Sequence, residues 1–383
     1  MTRHLYTPGP VDVPFSVRMA AAGPMISHRG EEWSDLLEEV KGRLGRLLDV
    51  EEPVVLLPGS GTGALEALAA NLLAPGDEVI SFSCGTFGDR FREIVSRRGA
   101  KVIALDAPRG EGFRRGHIRE ALEKHPGADA LLFTHHETST GVVNPLEELL
   151  SEIPADGPLV LVDAVSSLGA MPCRPSHWGI DGLASCSQKG LLAPPGLALV
   201  HLSERGWERA AKGFCPSYFF DLALHRRFLK KGRPQNPFTP PVSVFYGLAE
   251  SLRLLEGFGW DAWARRTRRK ARSFEAACEA MGFELFVREK EFRSPVMTAL
   301  EVPPGKERPM KKALEDMGIT VAEGQGRHGG TLRIAHYNPG GWPEVCLLAG
   351  GLFGAARECG IDVGDGFLDE AFKTWEREGD RSC

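Results

Sequence analysis

Between residues 53 and 205 the chain alternates short unbroken apolar runs with longer segments of mixed character. The runs are "VVLL" (54–57), "EVISF" (78–82), "KVIAL" (101–105), "ALLFT" (130–134), "LVLVD" (159–163), "GLASC" (182–186) and "LALVHL" (197–202). Apolar runs without polar alternation belong to strands covered on both faces, as in a mostly parallel sheet flanked by helices. The pattern predicts a large α/β domain with seven strands. Ahead of it, "EEWSDLLEEVKGRLGRLL" (31–48) brings Trp33, Leu36, Leu37, Val40, Leu44 and Leu47 to one helical face.

The ends of the chain read differently. Residues 1–30 carry Pro8, Gly9, Pro10, Pro14 and Pro24 and are expected to be irregular. A helix is expected near 244–280. Beyond it come a strand in "SPVMTALEV", a helix over "PMKKALEDMG", the strand "TLRIAH" and a final amphipathic helix near 342–359. That mixture describes a smaller α+β domain. The expected division is an N-terminal segment (1–30), a large α/β domain (31–260) and a small C-terminal α+β domain (261–383), with the boundary near 255–285.

Composition narrows the function classes. A chain of 383 residues buries a large core without disulfides or metals. Its net charge of −5 argues against a dedicated nucleic-acid surface. The one basic cluster, "WARRTRRKAR" (263–272), reads as the solvated face of a helix. Eight cysteines, at 84, 173, 186, 215, 278, 346, 359 and 383, show no CxxC or metal-ligand spacing, so reduced thiols and no metal are expected. Neither a signal-peptide stretch nor an apolar run of membrane-spanning length stands in the sequence, and a cytoplasmic protein without membrane contact is expected.

Three places carry candidate chemistry. Ser60-Gly61-Thr62-Gly63 stands where the first strand gives way to a helix, whose N-terminal N–H groups and dipole suit an anion such as phosphate. Asp163 ends the fifth strand, at the carboxyl edge where open α/β sheets bind ligands. It serves either as a cap for the next turn or as a counter-charge to a cationic ligand. Lys189, in "ASCSQKGLLAPPG", follows one strand later, so both side chains are able to face one crevice. A lysine for an aldehyde, an acid for a ring nitrogen and a helix N-terminus for a phosphate together point to pyridoxal phosphate.

The motifs "TPGP", "SGTGALE", "HETSTGVVNP", "LVDAVSSLG", "HWGIDGLASCSQKGLLAPPGLALV", "FTPPVS" and "TLRIAH" resemble the class V, fold-type I pyridoxal-phosphate aminotransferases, most closely the alanine–glyoxylate/serine–pyruvate group. They run in family order from residue 7 to about 336. The resemblance implies Lys189 as the Schiff-base lysine and Asp163 as partner of the ring nitrogen. It implies a phosphate site of Ser60, Gly61, Thr62 and Gln188, with Thr138 on the ring's phenolic oxygen and Val165 on one ring face. Phe87 falls where relatives usually stack a tryptophan, and a phenyl ring stacks without the indole N–H. Asn236 and Thr239, in "QNPFTPPVS", would reach the phosphate of a second subunit, Asn236 standing where some relatives have tyrosine. The active site would then exist only in a homodimer.

Arg333 would grip the substrate's α-carboxylate, a planar group matched by the guanidinium fork. Gly9, in "TPGP", would lie beside the substrate, and Ser27, His28 and Arg29 near the mouth of the site. His135 and His136 are expected to fill loop positions near the cofactor edge.

The implied activity moves an amino group from alanine or serine to glyoxylate or pyruvate by a ping-pong mechanism. No second arginine for a distal carboxylate is evident, which disfavours aspartate or glutamate as donor. Two alternatives stay open: a cysteine desulfurase or related lyase, for which Cys278 and Cys346 are the downstream thiols, and a non-catalytic subunit of the same fold.

Overall fold

The computed structural model describes residues 4–212, 215–325 and 329–380. The chain opens with β1 (His4–Leu5), α1 (Phe15–Ala21) and α2 (Glu31–Leu48). The large domain continues through β2 (Val55–Gly59), α3 (Gly61–Leu72), β3 (Glu78–Ser83), α4 (Thr86–Arg97), β4 (Lys101–Asp106), α5 (Arg115–Lys124) and β5 (Ala130–Thr134). Next come the short hairpin of β6 (His136–Glu137) and β7 (Val142–Val143), then α6 (Leu146–Leu150), β8 (Leu159–Asp163), α7 (Pro175–Trp178), β9 (Gly182–Cys186) and β10 (Gly196–Leu202). Helices α8 (Glu204–Lys212), α9 (Leu222–Leu229) and α10 (Val242–Phe258) complete it.

All seven expected strands join one sheet, in the order β2-β10-β9-β8-β5-β3-β4. Every neighbouring pair is parallel except those made by β10, which runs antiparallel to β2 and β9. The central strands are buried along their whole length, which is why their sequences lack polar alternation. Register places Thr134, Asp163 and Ala184 side by side at the carboxyl edge. Ser60, Cys84, His135 and Ser187 each follow a parallel strand at that same edge, so the functional loops converge there.

The small domain holds α11 (Trp260–Ala280), β11 (Met297–Glu301), α12 (Glu307–Asp316), β12 (Ile319–Thr320), β13 (Ala322–Glu323), β14 (Thr331–Ala335), α13 (Trp342–Glu358) and α14 (Phe367–Asp380). Its core is separate from that of the large domain, and α11 serves both: Trp263 packs in the first and Phe274, Ala277 and Cys278 in the second. The helix expected over 244–280 is therefore two helices. They break at Gly259, whose φ of +80° costs a side-chain-bearing residue more than glycine.

The N-terminal segment departs from its expected irregularity. Residues His4–Leu5 pair in parallel with β12, Tyr6 enters the small-domain core, and Phe15–Ala21 forms a helix despite the flanking Pro14 and Pro24. Proline at the N-cap costs a helix nothing, because no intrahelical N–H is needed there. The helix α14 is absent from the sequence expectation. The seven cysteines within the described residues are free thiols, and Cys383 lies outside them.

Beneath the sheet edge, Phe82 of β3 stacks on Phe133 of β5 at 4.7 Å and meets Phe113 edge-on at 5.1 Å. Truncating a buried ring removes its transfer energy and leaves a cavity. Phe82→Ala is expected to lower unfolding stability by about 3–5 kcal/mol, read from urea denaturation; a loss under about 1 kcal/mol would contradict this packing.

Candidate active site

A cavity of about 370 Å³ opens at the carboxyl edge of the sheet. It brings together Gly9, Ser60, Gly61, Thr62, Phe87, Asp163, Val165, Gln188 and Lys189 from the expected set. Lys189 stands in the turn after β9, and its Nζ donates to the Pro8 carbonyl at 2.5 Å. Gly9 follows that carbonyl with φ +131°, and a Cβ there would lie within 2.5 Å of the lysine's outer atoms. Only glycine allows the N-terminal segment to lie against this side chain. Burial, together with Arg333 and Arg90, lowers the Lys189 amine's affinity for its proton, opposed by Cys186 and Asp163.

Asp163 ends β8 with its carboxyl buried, accepting from Val165 N at 2.8 Å. Burial pushes it up to about 7. At the head of α3, Ser60 caps in extended conformation but makes no side-chain bond to the helix, leaving its hydroxyl for a ligand. Gln188 Oε1 is buried without a hydrogen-bond partner.

Arg333 and Thr138 stand at the edge of this cavity rather than in its wall. Arg333 Nη1 donates to Thr138 O at 2.8 Å and Nε to Glu323 O at 3.0 Å; among the described residues Nη2 has no partner. The two carbonyls fix the plane of the guanidinium and leave one nitrogen to grip a ligand. Gln325, which lines the cavity, lies 3.5 Å from the same Nη1.

Residues without an assigned role in the sequence reading organise the rest. Glu137 is fully buried, and its Oε2 accepts from the N–H groups of Phe87 and Gly88, each at 3.0 Å. Its Oε1 accepts from Ser139 N at 3.0 Å and Ser139 Oγ at 2.6 Å, and that hydroxyl in turn accepts from Thr86 N at 3.0 Å. The first turn of α4 is thus capped from the β6–β7 loop, which sets the position of Phe87. Arg90, one turn further along α4, also lines the cavity. The available signal was the acid in "HETSTG" and the arginine three residues after Phe87; neither pattern says what it touches.

Other expected residues lie apart. Asn236 is buried with an unpartnered Oδ1 and Thr239 is exposed; neither lines this chain's cavity. Arg29 holds that segment through Asn236 O at 2.6 Å and Pro237 O at 3.0 Å. His136 meets Ser166 Oγ at 3.0 Å, whereas His135 packs edge-on against Trp178 and lines a different, interdomain cavity. Burial holds both imidazoles neutral, His135 at about 4 and His136 at about 3.

A lysine and a buried carboxyl at the carboxyl edge of this sheet, with the free N–H groups of a helix N-terminus beside them, define a pyridoxal-phosphate enzyme of fold type I. The crystal structure of alanine–glyoxylate aminotransferase from Nostoc sp. shares that fold, with TM-score 0.87 at 31% identity over 93% of this chain and 96% of that one. The chain belongs to the class-V aminotransferase family, whose model matches residues 14–339. It is 32% identical over 356 residues to L-aspartate–glyoxylate aminotransferase of Paracoccus denitrificans, covering 90% of this chain and 88% of the relative. It is also 34% identical over 362 residues to a protein named soluble hydrogenase, small subunit, of Synechococcus sp., covering 93% of each.

The residues fit pyridoxal phosphate. A ring N–H would give the buried Asp163 carboxyl a second donor beside Val165 N, a phosphate would meet the Ser60 hydroxyl at a helix N-terminus, and Lys189 lines the same cavity.

An unfolded aspartate ionises near pH 4, but Asp163 in the folded, cofactor-free chain ionises at about 7. Between those values the folded chain retains a proton the unfolded chain has lost, so stability falls as pH rises. Cofactor-free Asp163→Asn is therefore expected to melt above wild type at pH 8, with the difference shrinking towards pH 5. A difference independent of pH would contradict the assignment.

Proposed function

We propose that this aminotransferase moves the amino group of a small amino acid, alanine or serine, to glyoxylate or pyruvate. The carrying observation is the convergence of Lys189 and Asp163 on one cavity with Arg333 at its rim. Similarity to the Nostoc alanine–glyoxylate enzyme supports glyoxylate as acceptor and alanine as donor.

When bound, pyridoxal phosphate supplies a carbonyl that captures the amino group and a ring that accepts the electrons of the breaking Cα–H bond. Asp163 holds a proton at the ring nitrogen, which keeps that electron demand high. Arg333 orients the donor through its α-carboxylate, using the nitrogen that the protein leaves unpaired. Burial of Lys189 favours its neutral amine, which would take the proton from Cα and return it two atoms away, on the far side of the amino nitrogen. The donor leaves as an oxo acid before the acceptor binds, which gives ping-pong kinetics.

Of the two thiols the lyase alternative would use, Cys278 is buried in the small-domain core, where burial raises its pKa, and Cys346, half-buried on α13, does not line the cavity. The hydrogenase name describes the Synechococcus relative; here a lysine, an acid and an arginine placed for amino transfer favour the aminotransferase reading. Arg333→Lys is expected to raise the KM for alanine about tenfold or more, since a single ammonium cannot hold the Thr138 and Glu323 carbonyls and also present an oriented donor to the carboxylate, while affinity for the cofactor stays unchanged. An unaltered KM would remove Arg333 from the substrate site.

The site is further proposed to be completed by a second copy of the chain through Asn236 and Thr239. Supporting this, Tyr218 is 77% exposed beside that segment, its ring tilted against Phe238 at 5.4 Å, and Phe15 and Met25 are 70% and 67% exposed. Exposed apolar groups of this size mark interfaces. Mixing inactive Lys189→Ala protein with an inactive Asn236→Ala/Thr239→Ala variant should regain activity, because one hybrid site is intact. A fully active monomer would contradict the shared site.

A further inference from the structure

The phosphate of the cofactor carries about −1.5 to −2 charges at neutral pH, yet every residue expected to hold it is uncharged. Ser60, Gly61, Thr62 and Gln188 contribute hydroxyl, backbone and amide groups, as Asn236 and Thr239 would from a second chain. The N-terminus of α3 adds only about half a positive charge. A dianion in a partly buried cleft calls for a nearby cation.

The cavity wall holds two cations and one acid: Lys189, Arg90 and Asp163. Lys189 is committed to the carbonyl end of the cofactor and Asp163 to its ring nitrogen. Arg90 remains. Among the described residues no carboxylate pairs with it. Its Nη1 lies 3.4 Å from Thr62 Oγ1, and its guanidinium carbon lies 4.8 Å from the centre of the Phe87 ring. The side chain is thus steered by geometry rather than by an ion pair. Phe87 and Arg90 share a face of α4 as i and i+3 neighbours, and Glu137 fixes the first turn of that helix.

We propose that Arg90 is the cation that answers the cofactor phosphate, acting beside Thr62 while backing the Phe87 ring. This rests on pyridoxal phosphate occupying the cavity. The expectation that no second arginine serves a distal carboxylate is unaffected: Arg90 lies at the Thr62 end, where it would serve the cofactor.

The test uses full-length protein stripped of cofactor, titrated with pyridoxal phosphate and with pyridoxal, which lacks only the phosphate. Arg90→Met is expected to weaken pyridoxal phosphate about tenfold or more, the scale of a lost charge-assisted bond, and to leave pyridoxal affinity unchanged. Arg90→Lys should keep most of the phosphate-dependent affinity. Inorganic phosphate should compete with the cofactor in wild type and less in Arg90→Met, a comparison that also serves if either variant is less stable. Equal losses for both ligands would overturn the proposal and leave Arg90 as a support for Phe87 alone. Unchanged cofactor affinity with a KM increase confined to aspartate would overturn it in favour of a donor side-chain site. Wild-type protein that binds no pyridoxal phosphate would instead overturn the cofactor assignment.

Discussion

The buried carboxylate of Glu137 is the constraint on which the site depends. It satisfies two amides of α4 and the backbone and hydroxyl of Ser139, so neither the helix nor the loop is free to shift alone. The adjacent residue, Thr138, gives its carbonyl to Arg333 of the small domain. One loop therefore fixes Phe87 and Arg333, proposed to stack on the cofactor and to grip the substrate carboxylate, and carries Thr138, proposed to meet the cofactor ring. Gly85 makes this contact possible, since a Cβ there would lie 2.4 Å from Ser139 Oγ. Burial raises the Glu137 pKa and the four donors oppose that shift; burial lowers the Arg333 pKa, and the nearby Glu137 charge opposes it.

A second tie joins the domains through the start of the chain. Residues His4–Leu5 extend the small domain beside β12, and Ala335 N donates to Tyr6 O. Two and five residues beyond Tyr6 the same segment meets the large domain, where Pro8 O accepts from Lys189 and Val11 N donates to Gln188 O. The lysine and the arginine of the site thus sit on different domains but are held by one continuous strand-like segment.

The features legible in the sequence share a cause. Strands such as "LVLVD" and "GLASC" are buried on both faces, so composition alone marks them, and Asp163 and Lys189 stand out as charges where such runs end. What escaped reading depends on partners distant in sequence. Glu137 looks like any loop acid until α4 is seen to begin on it, and Arg90 looks like a helix-surface cation until Phe87 and Thr62 flank it. The strand at His4–Leu5 is too short to show a period and exists because β12 offers it an edge. The break at Gly259 was hidden by continuous amphipathic character on both sides of a single glycine.

The central claim is that Lys189, Asp163 and Arg333 together move amino groups between small acids. It is tested most directly by following the absorbance of the cofactor-loaded protein through each half-reaction separately. Addition of alanine or serine alone should convert the bound cofactor to its amino form, and glyoxylate alone should then restore the starting spectrum, with one oxo acid and one amino acid released in turn. A loaded protein whose spectrum is unchanged by any small amino acid, or whose converted form no oxo acid restores, would contradict it.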